Sequence, residues 1–130
     1  MGDNKKVIKS PEASDTWSIV FYESPTGNPV VLKWFRDLDP KVVAKFSRIF
    51  ELLEEKGTEV GEPYVKSIKR EKLHEVRVSR NKSWFRILYF AYASKRFILL
   101  HGFQKQGDKI PKKEIDTALE RKKEFLIEES

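Results

Sequence analysis

The sequence predicts a single α+β domain, an antiparallel sheet with a helical hairpin packed on one face and a further helix at the C-terminal end. Two amphipathic stretches lie close together between Asn28 and Gly57. Three β-rich runs then follow one another between Leu73 and Phe103, joined by short polar turns, which requires antiparallel neighbours. A proline opens a last periodic segment at Pro111.

Met1–Thr16 (MGDNKKVIKSPEASDT) is polar and without periodicity, so it reads as a flexible leader, and the domain is expected over 17–128. Trp17–Glu23 is aromatic and β-branched and ends in a Ser-Pro-Thr-Gly turn, as a first strand does. Asn28-Pro29 is a helix start, and Val30, Val31, Trp34, Phe35 and Leu38 recur at helical spacing behind it. Asp39-Pro40 repeats that signal. It opens a second helix with an apolar stripe of Val42, Val43, Phe46, Ile49, Phe50 and Leu53, ended by Gly57. Such a hairpin needs a sheet to lie on. Tyr64–Ile68 reads as a weak strand. Leu73–Val78, Trp84–Tyr92 and Phe97–Phe103 form a meander, with polar turns at Ser79–Ser83 and around Ala93-Ser94-Lys95. Pro111–Ile127 closes the chain as a helix with Ile115, Ala118, Leu119 and Leu126 on its apolar side. The order is β-α-α-β-β-β-β-α.

At 130 residues, 39% apolar and 35% charged, the chain has one modest core and a heavily charged surface. It has no cysteine and two histidines, so neither disulfides nor thiol chemistry are available and no cofactor or metal is expected. Without an apolar signal core or membrane-spanning run, a cytoplasmic location is expected. The net charge of +6 is unevenly spread. Residues 64–113 carry +11 and the rest of the chain −5. That segregation favours a polyanion partner, most readily nucleic acid, over an ordinary solvated basic surface.

The basic residues sit in strands. With helices on one face of the sheet, the other face is expected to be free, and alternation lets Glu75 and Arg77 project from it together. Arg86 comes within reach from the adjacent strand if the register allows, and Lys105 and Lys109 follow the last strand. Cations gathered around one phosphodiester suit RNA cleavage without a metal. Glu75 would accept the 2′-hydroxyl proton, Arg77 and Arg86 would fork onto phosphate oxygens, and Lys105 or His101 would protonate the leaving oxygen. Trp84, Phe85, Tyr89 and Phe103 offer faces on which bases could stack. Each role has a plainer rival. Glu75 and Arg77 read equally well as a surface ion pair, His101 in its apolar run reads as a structural histidine, and most of the aromatic residues must be core. Lys69, Arg70, Lys72, Arg80 and Lys82 suit attraction of RNA better than chemistry.

Leu73-x-Glu75-x-Arg77, Arg86-x-Leu88-Tyr89-Phe90 and Leu100-His101-Gly102-Phe103, followed by Lys105, Lys109, Pro111, Ala118 and Arg121, resemble the HigB-like, phage-derived branch of the RelE/ParE toxin superfamily. The resemblance covers about residues 17–125. It implies the RelE/ParE-like fold and the toxin of a type II toxin–antitoxin pair, an endoribonuclease that cuts mRNA on the ribosome. It also implies an antitoxin partner, a HigA-like helix-turn-helix protein, with DNA met only through that partner. Arg77, Arg86 and Lys105 stand where the superfamily's RNases carry catalytic cations. The loop departs from the usual Phe-x-Lys-Lys at Gln106, no tyrosine occurs in the tail, and Glu75 occupies a position that is basic in well-studied relatives. Two other functions fit the same resemblance: a gyrase inhibitor of the ParE type, and a non-catalytic RNA-binding or inactivated toxin.

Overall fold

The computed structural model describes residues 16–130 as a five-stranded sheet with three α-helices. The expected leader lies, apart from Thr16, outside the described residues. The elements are β1 (Ser18–Phe21), α1 (Val30–Arg36), α2 (Pro40–Lys56), β2 (Val65–Ile68), β3 (Leu73–Arg80), β4 (Ser83–Tyr92), β5 (Arg96–Lys105) and α3 (Lys112–Glu129). A 3-10 turn, Gly57–Glu59, follows α2. The expected α+β order is therefore present, in a sheet ordered β1-β5-β4-β3-β2. All neighbours are antiparallel except β1 and β5, which pair in parallel. Parallel pairing requires a crossover, and the rest of the domain supplies it.

The turns fix the geometry that matters. Asn81 and Lys82 both adopt left-handed φ, +53° and +66°, and Ser94 and Lys95 do the same at +65° and +55°. Two such residues in succession form the turn whose twist matches a tight hairpin. The expected Ser79–Ser83 turn is thus only two residues long, and Ser79 and Arg80 extend β3. Arg80 faces Ser83, and Arg77 is consequently opposite Arg86.

Helix α2 starts and stops as its sequence directs: Asp39 accepts the Lys41 backbone N–H at 2.8 Å, and Gly57 ends the helix at φ +60°. Helix α1 begins later than Asn28-Pro29 suggests. The Asn28 side chain receives the Lys33 ammonium at 3.0 Å and caps no backbone N–H. The hairpin packs on one face of the sheet through Phe21, Phe35, Phe46 and Phe50, whose ring centroids lie 5.5–6.1 Å apart. The Trp34 ring lies against Gly102, where any Cβ would overlap it.

The opposite face is not free, contrary to the expectation from sequence. Helix α3 covers its β5 side, because Ala118 is fully buried and Ile115, Leu119 and Phe125 need cover too. Phe125 packs edge-on against Phe90 and Tyr92 at 6.0 and 5.3 Å, and it takes the inward place expected of Leu126, which is exposed. What stays accessible on this face is its other end, around Arg77, Ser79, Trp84 and Lys105.

Candidate functional site

Register arranges the basic strands into rows. Lys66, Glu75, Leu88 and His101 face one another across β2, β3, β4 and β5, followed by Arg77, Arg86 and Phe103, then Ser79, Trp84 and Lys105. Residues directly opposite share a face, and successive rows lie about 7 Å apart. Arg77, Arg86 and Lys105 therefore do fall together on one surface, with Glu75 in the next row.

Their exposure differs sharply. Glu75 and Arg86 are 1% and 0% exposed, and they pair with Arg86 Nη1 3.2 Å from Glu75 Oε2. Arg86 also donates to two loop carbonyls, from Nη1 to Asp108 O at 2.9 Å and from Nη2 to Gly107 O. Its guanidinium fork thus grips the Gln106–Ile110 loop from below, and Lys105 and Lys109 stand exposed on either side of that grip. Burial pushes the Glu75 carboxyl above its ordinary range, while Arg86, Arg77 and Lys66 pull the other way. The expectation that Glu75 projects into solvent beside Arg77 is corrected here: its alternation is right, but Glu75 is the buried counter-ion of Arg86.

Arg77 is half-buried, its guanidinium 5.2 Å from the centroid of the Trp84 ring. This contact holds a cation and an aromatic plane together at the rim of the face. A groove of about 930 Å³ begins there and passes the end of β2 towards α2, lined among others by Arg48, Tyr64, Arg77, Ser79 and Trp84. Tyr64 is 45% exposed. Glu51, Glu54 and Glu55 of α2 line the groove too, beside Lys45 and Arg48 of the same helix, so its α2 wall is of mixed charge.

His101 is occupied. Its Nε2 lies 2.7 Å from Glu114 Oε1, its Nδ1 lies 3.3 Å from Arg121 Nη1, and its ring stacks on Phe103 at 5.6 Å. Burial lowers its pKa first of all, so the neutral ring donates from Nε2 and accepts at Nδ1. Arg121 further donates to Leu100 O at 3.0 Å. This network fastens α3 to β5.

Of the residues expected to draw in RNA, Lys69, Arg70 and Lys72 are exposed on the β2–β3 turn, and Lys82 and Lys109 are exposed on theirs. Arg80 is held by Asp39, Nε to Oδ2 at 3.2 Å, at the start of α2. Tyr89 is buried on the hairpin face between His74 and Phe97, away from the cationic rows. Sequence reasoning missed Glu114, and it had Arg121 only as part of the resemblance, without its contact to His101. Their spacing of seven residues, two helical turns, was the available signal for a shared face.

Among the described residues, no group of three or more His, Cys, Asp or Glu could hold a metal ion, and no helix is long and apolar enough to cross a membrane. A family model described as "Phage derived protein Gp49-like (DUF891)" matches residues 33–123, from α1 into α3 and across all the rows above. No curated protein matches the sequence.

Proposed function

The chain belongs to the Gp49-like phage-derived family, a toxin-like family, and we propose that it is the toxin of a type II toxin–antitoxin system that cleaves mRNA on the ribosome without a metal. The observation that carries this reading is the cluster of Arg77, Trp84 and Lys105 from two adjacent rows, two cations and a stacking surface on the accessible end of a sheet face. Arg77 and Lys105 would hold the phosphodiester and offset the charge that develops on its oxygens. Trp84 would stack a neighbouring base.

Arg86 takes a different part from the one its sequence position suggests. With its Nη atoms spent on loop carbonyls and Glu75, it positions the loop that presents Lys105 and Lys109. Glu75 lies in the row next to Arg77, and burial raises its proton affinity in the direction a general base needs. It reaches a 2′-hydroxyl only when the Gln106–Ile110 loop lifts, so cleavage is tied to that movement. For protonating the leaving oxygen, Lys105 is favoured over His101, both of whose ring nitrogens are engaged. The expected inhibitor is a cognate antitoxin of the HigA-like kind, and the expected substrate is mRNA in the ribosomal A site.

Expression should arrest growth, and ribosome-bound mRNA should be cut at defined codon positions. Lys105→Ala or Arg77→Ala should reduce cutting about a hundredfold, the order of loss for one transition-state donor. Both side chains are solvent-accessible, so the folded state should survive, as circular dichroism would show. Growth arrest with intact ribosome-bound mRNA would sink the nuclease reading, and inhibition of supercoiling by purified gyrase would then point to the ParE-like one.

A further inference from the structure

At the end of the strands remote from Arg77 and Lys105, a cavity of about 330 Å³ is lined by Ser67, Ile68, Lys69, Lys72, Leu73, His74, Phe90, Ala91 and Lys122. Among the described residues, three lysines border it and no carboxylate does. Lys122, from α3, is held in place: Nζ donates to Lys72 O at 3.2 Å and lies 4.9 Å from the centroid of the Phe90 ring. Lys72 presents that carbonyl from a left-handed conformation, φ +58°, one that an L-residue adopts at a cost. The nearest acid in sequence, Glu71, lies towards Arg70, 4.0 Å away. The contrast along α3 is informative. Lys112 is paired with Asp116 at 2.9 Å and Arg121 is spent on His101 and Leu100, but Lys122 faces another lysine.

Like charges brought together without an acid form an unsatisfied electrostatic site. Its effect is felt by neighbours: Lys122 is lowered by burial and then by Lys72, and His74 by burial and then by Lys122. We infer that Lys69, Lys72 and Lys122 form a binding site for a phosphate oxyanion, taken from the backbone of an RNA strand that also crosses the Arg77–Trp84–Lys105 cluster. Lys72 and Arg77 are five residues apart on one chain, roughly 17 Å in extended conformation, so the site would hold a phosphate well away from the one being cut. The identity of the strand as RNA rests on the proposed nuclease function, whereas binding of the oxyanion does not.

The chain's two histidines make the test direct. His74 has its Nδ1 3.2 Å from Ser67 Oγ of β2 and its ring stacked on Tyr89 of β4, and it borders the same cavity as Lys122, whose charge reaches it from α3. His101 lies in the α3–β5 network and serves as an internal control. Proton NMR titration of both imidazoles would be recorded with sulfate, whose charge stays constant over the range, with a 2′-O-methyl oligouridylate that cannot be cleaved, and with chloride at matched ionic strength. The site requires that sulfate and the oligonucleotide raise the His74 titration midpoint beyond the chloride effect while His101 stays fixed. Lys122→Gln should raise the His74 midpoint in the absence of ligand. It should also weaken oxyanion binding about tenfold, the order expected for one charge-assisted contact. A response to sulfate alone would support an oxyanion site but overturn its assignment to an RNA strand. No response of His74 to either, or the same response in Lys122→Gln, would overturn the site itself, and neither result bears on whether the chain cuts mRNA.

Discussion

Removing a carboxylate and a guanidinium from water together costs more than their attraction readily returns, so a buried pair such as Glu75–Arg86 is poor evidence of stabilisation by itself. Among the described residues Glu75 Oε2 has only its ion-pair contact with Arg86 Nη1 and Arg86 Nε has no hydrogen-bond partner, so the pair is also incompletely satisfied. What the pair does provide is a fixed anchor for the Gly107 and Asp108 carbonyls. Breaking it from one side leaves a bare buried charge: Glu75→Ala should lose about 3–5 kcal/mol in urea denaturation. Replacing both partners with apolar groups, Glu75→Leu with Arg86→Met, should recover most of that loss while freeing the loop. Loop amides would then exchange faster with solvent. If the double variant were no more stable than the single one, the pair would be contributing more than an anchor. The sequence had shown both residues on one face. It could not show their burial, which depends on a loop reaching back over the sheet from more than twenty residues further along the chain.

Elements were most legible where local chemistry decides them. Asp39-Pro40 and Gly57 bound α2 as written, and alternation identified β3 to β5. The position of α3 was less legible, because its outer half is strongly charged and its apolar residues do not say which face of the sheet they cover. Its docking depends instead on His101, Glu114 and Arg121, a contact between elements. That contact carries a pH signature. The folded-state pKa of His101 is held below the ordinary 6.5, chiefly by burial, so the unfolded chain takes up the proton first as pH falls. The stabilisation from the neutral ring is therefore present above about pH 6.5 and is lost on acidification towards the folded-state value. Protonation also removes the Nδ1 acceptor that Arg121 uses. Lowering the pH from 7.5 to 5 should depress the melting temperature of the wild type more than that of His101→Gln. Equal depression in the two proteins would place the acid sensitivity elsewhere, with His74 the next group to examine.

Across the whole molecule, charge segregation of +11 against −5 was visible from the sequence, but the fold decides which of those charges can meet a polyanion. Arg86 is enclosed, Arg80 is held by Asp39, and Lys112 by Asp116. Lys69, Lys72, Lys105 and Lys109 stay exposed, with Arg77 and Lys122 half-buried beside them. Each cation that neutralises a phosphate of a single strand releases counterions and contributes roughly −0.7 to the slope of log affinity against log salt. Binding of a non-cleavable RNA measured by fluorescence anisotropy across a salt series should therefore separate the two classes. Lys105→Ala should make the slope shallower by about 0.7, whereas Arg80→Ala should leave it nearly unchanged, because Arg80 surrenders its Asp39 contact whenever it turns to a phosphate. The same experiment judges the placement of charge over its total, since the two variants lower the net charge equally. Identical slopes for Lys105→Ala and Arg80→Ala would mean that RNA responds only to overall charge and that the Arg77–Trp84–Lys105 cluster has no special place in binding.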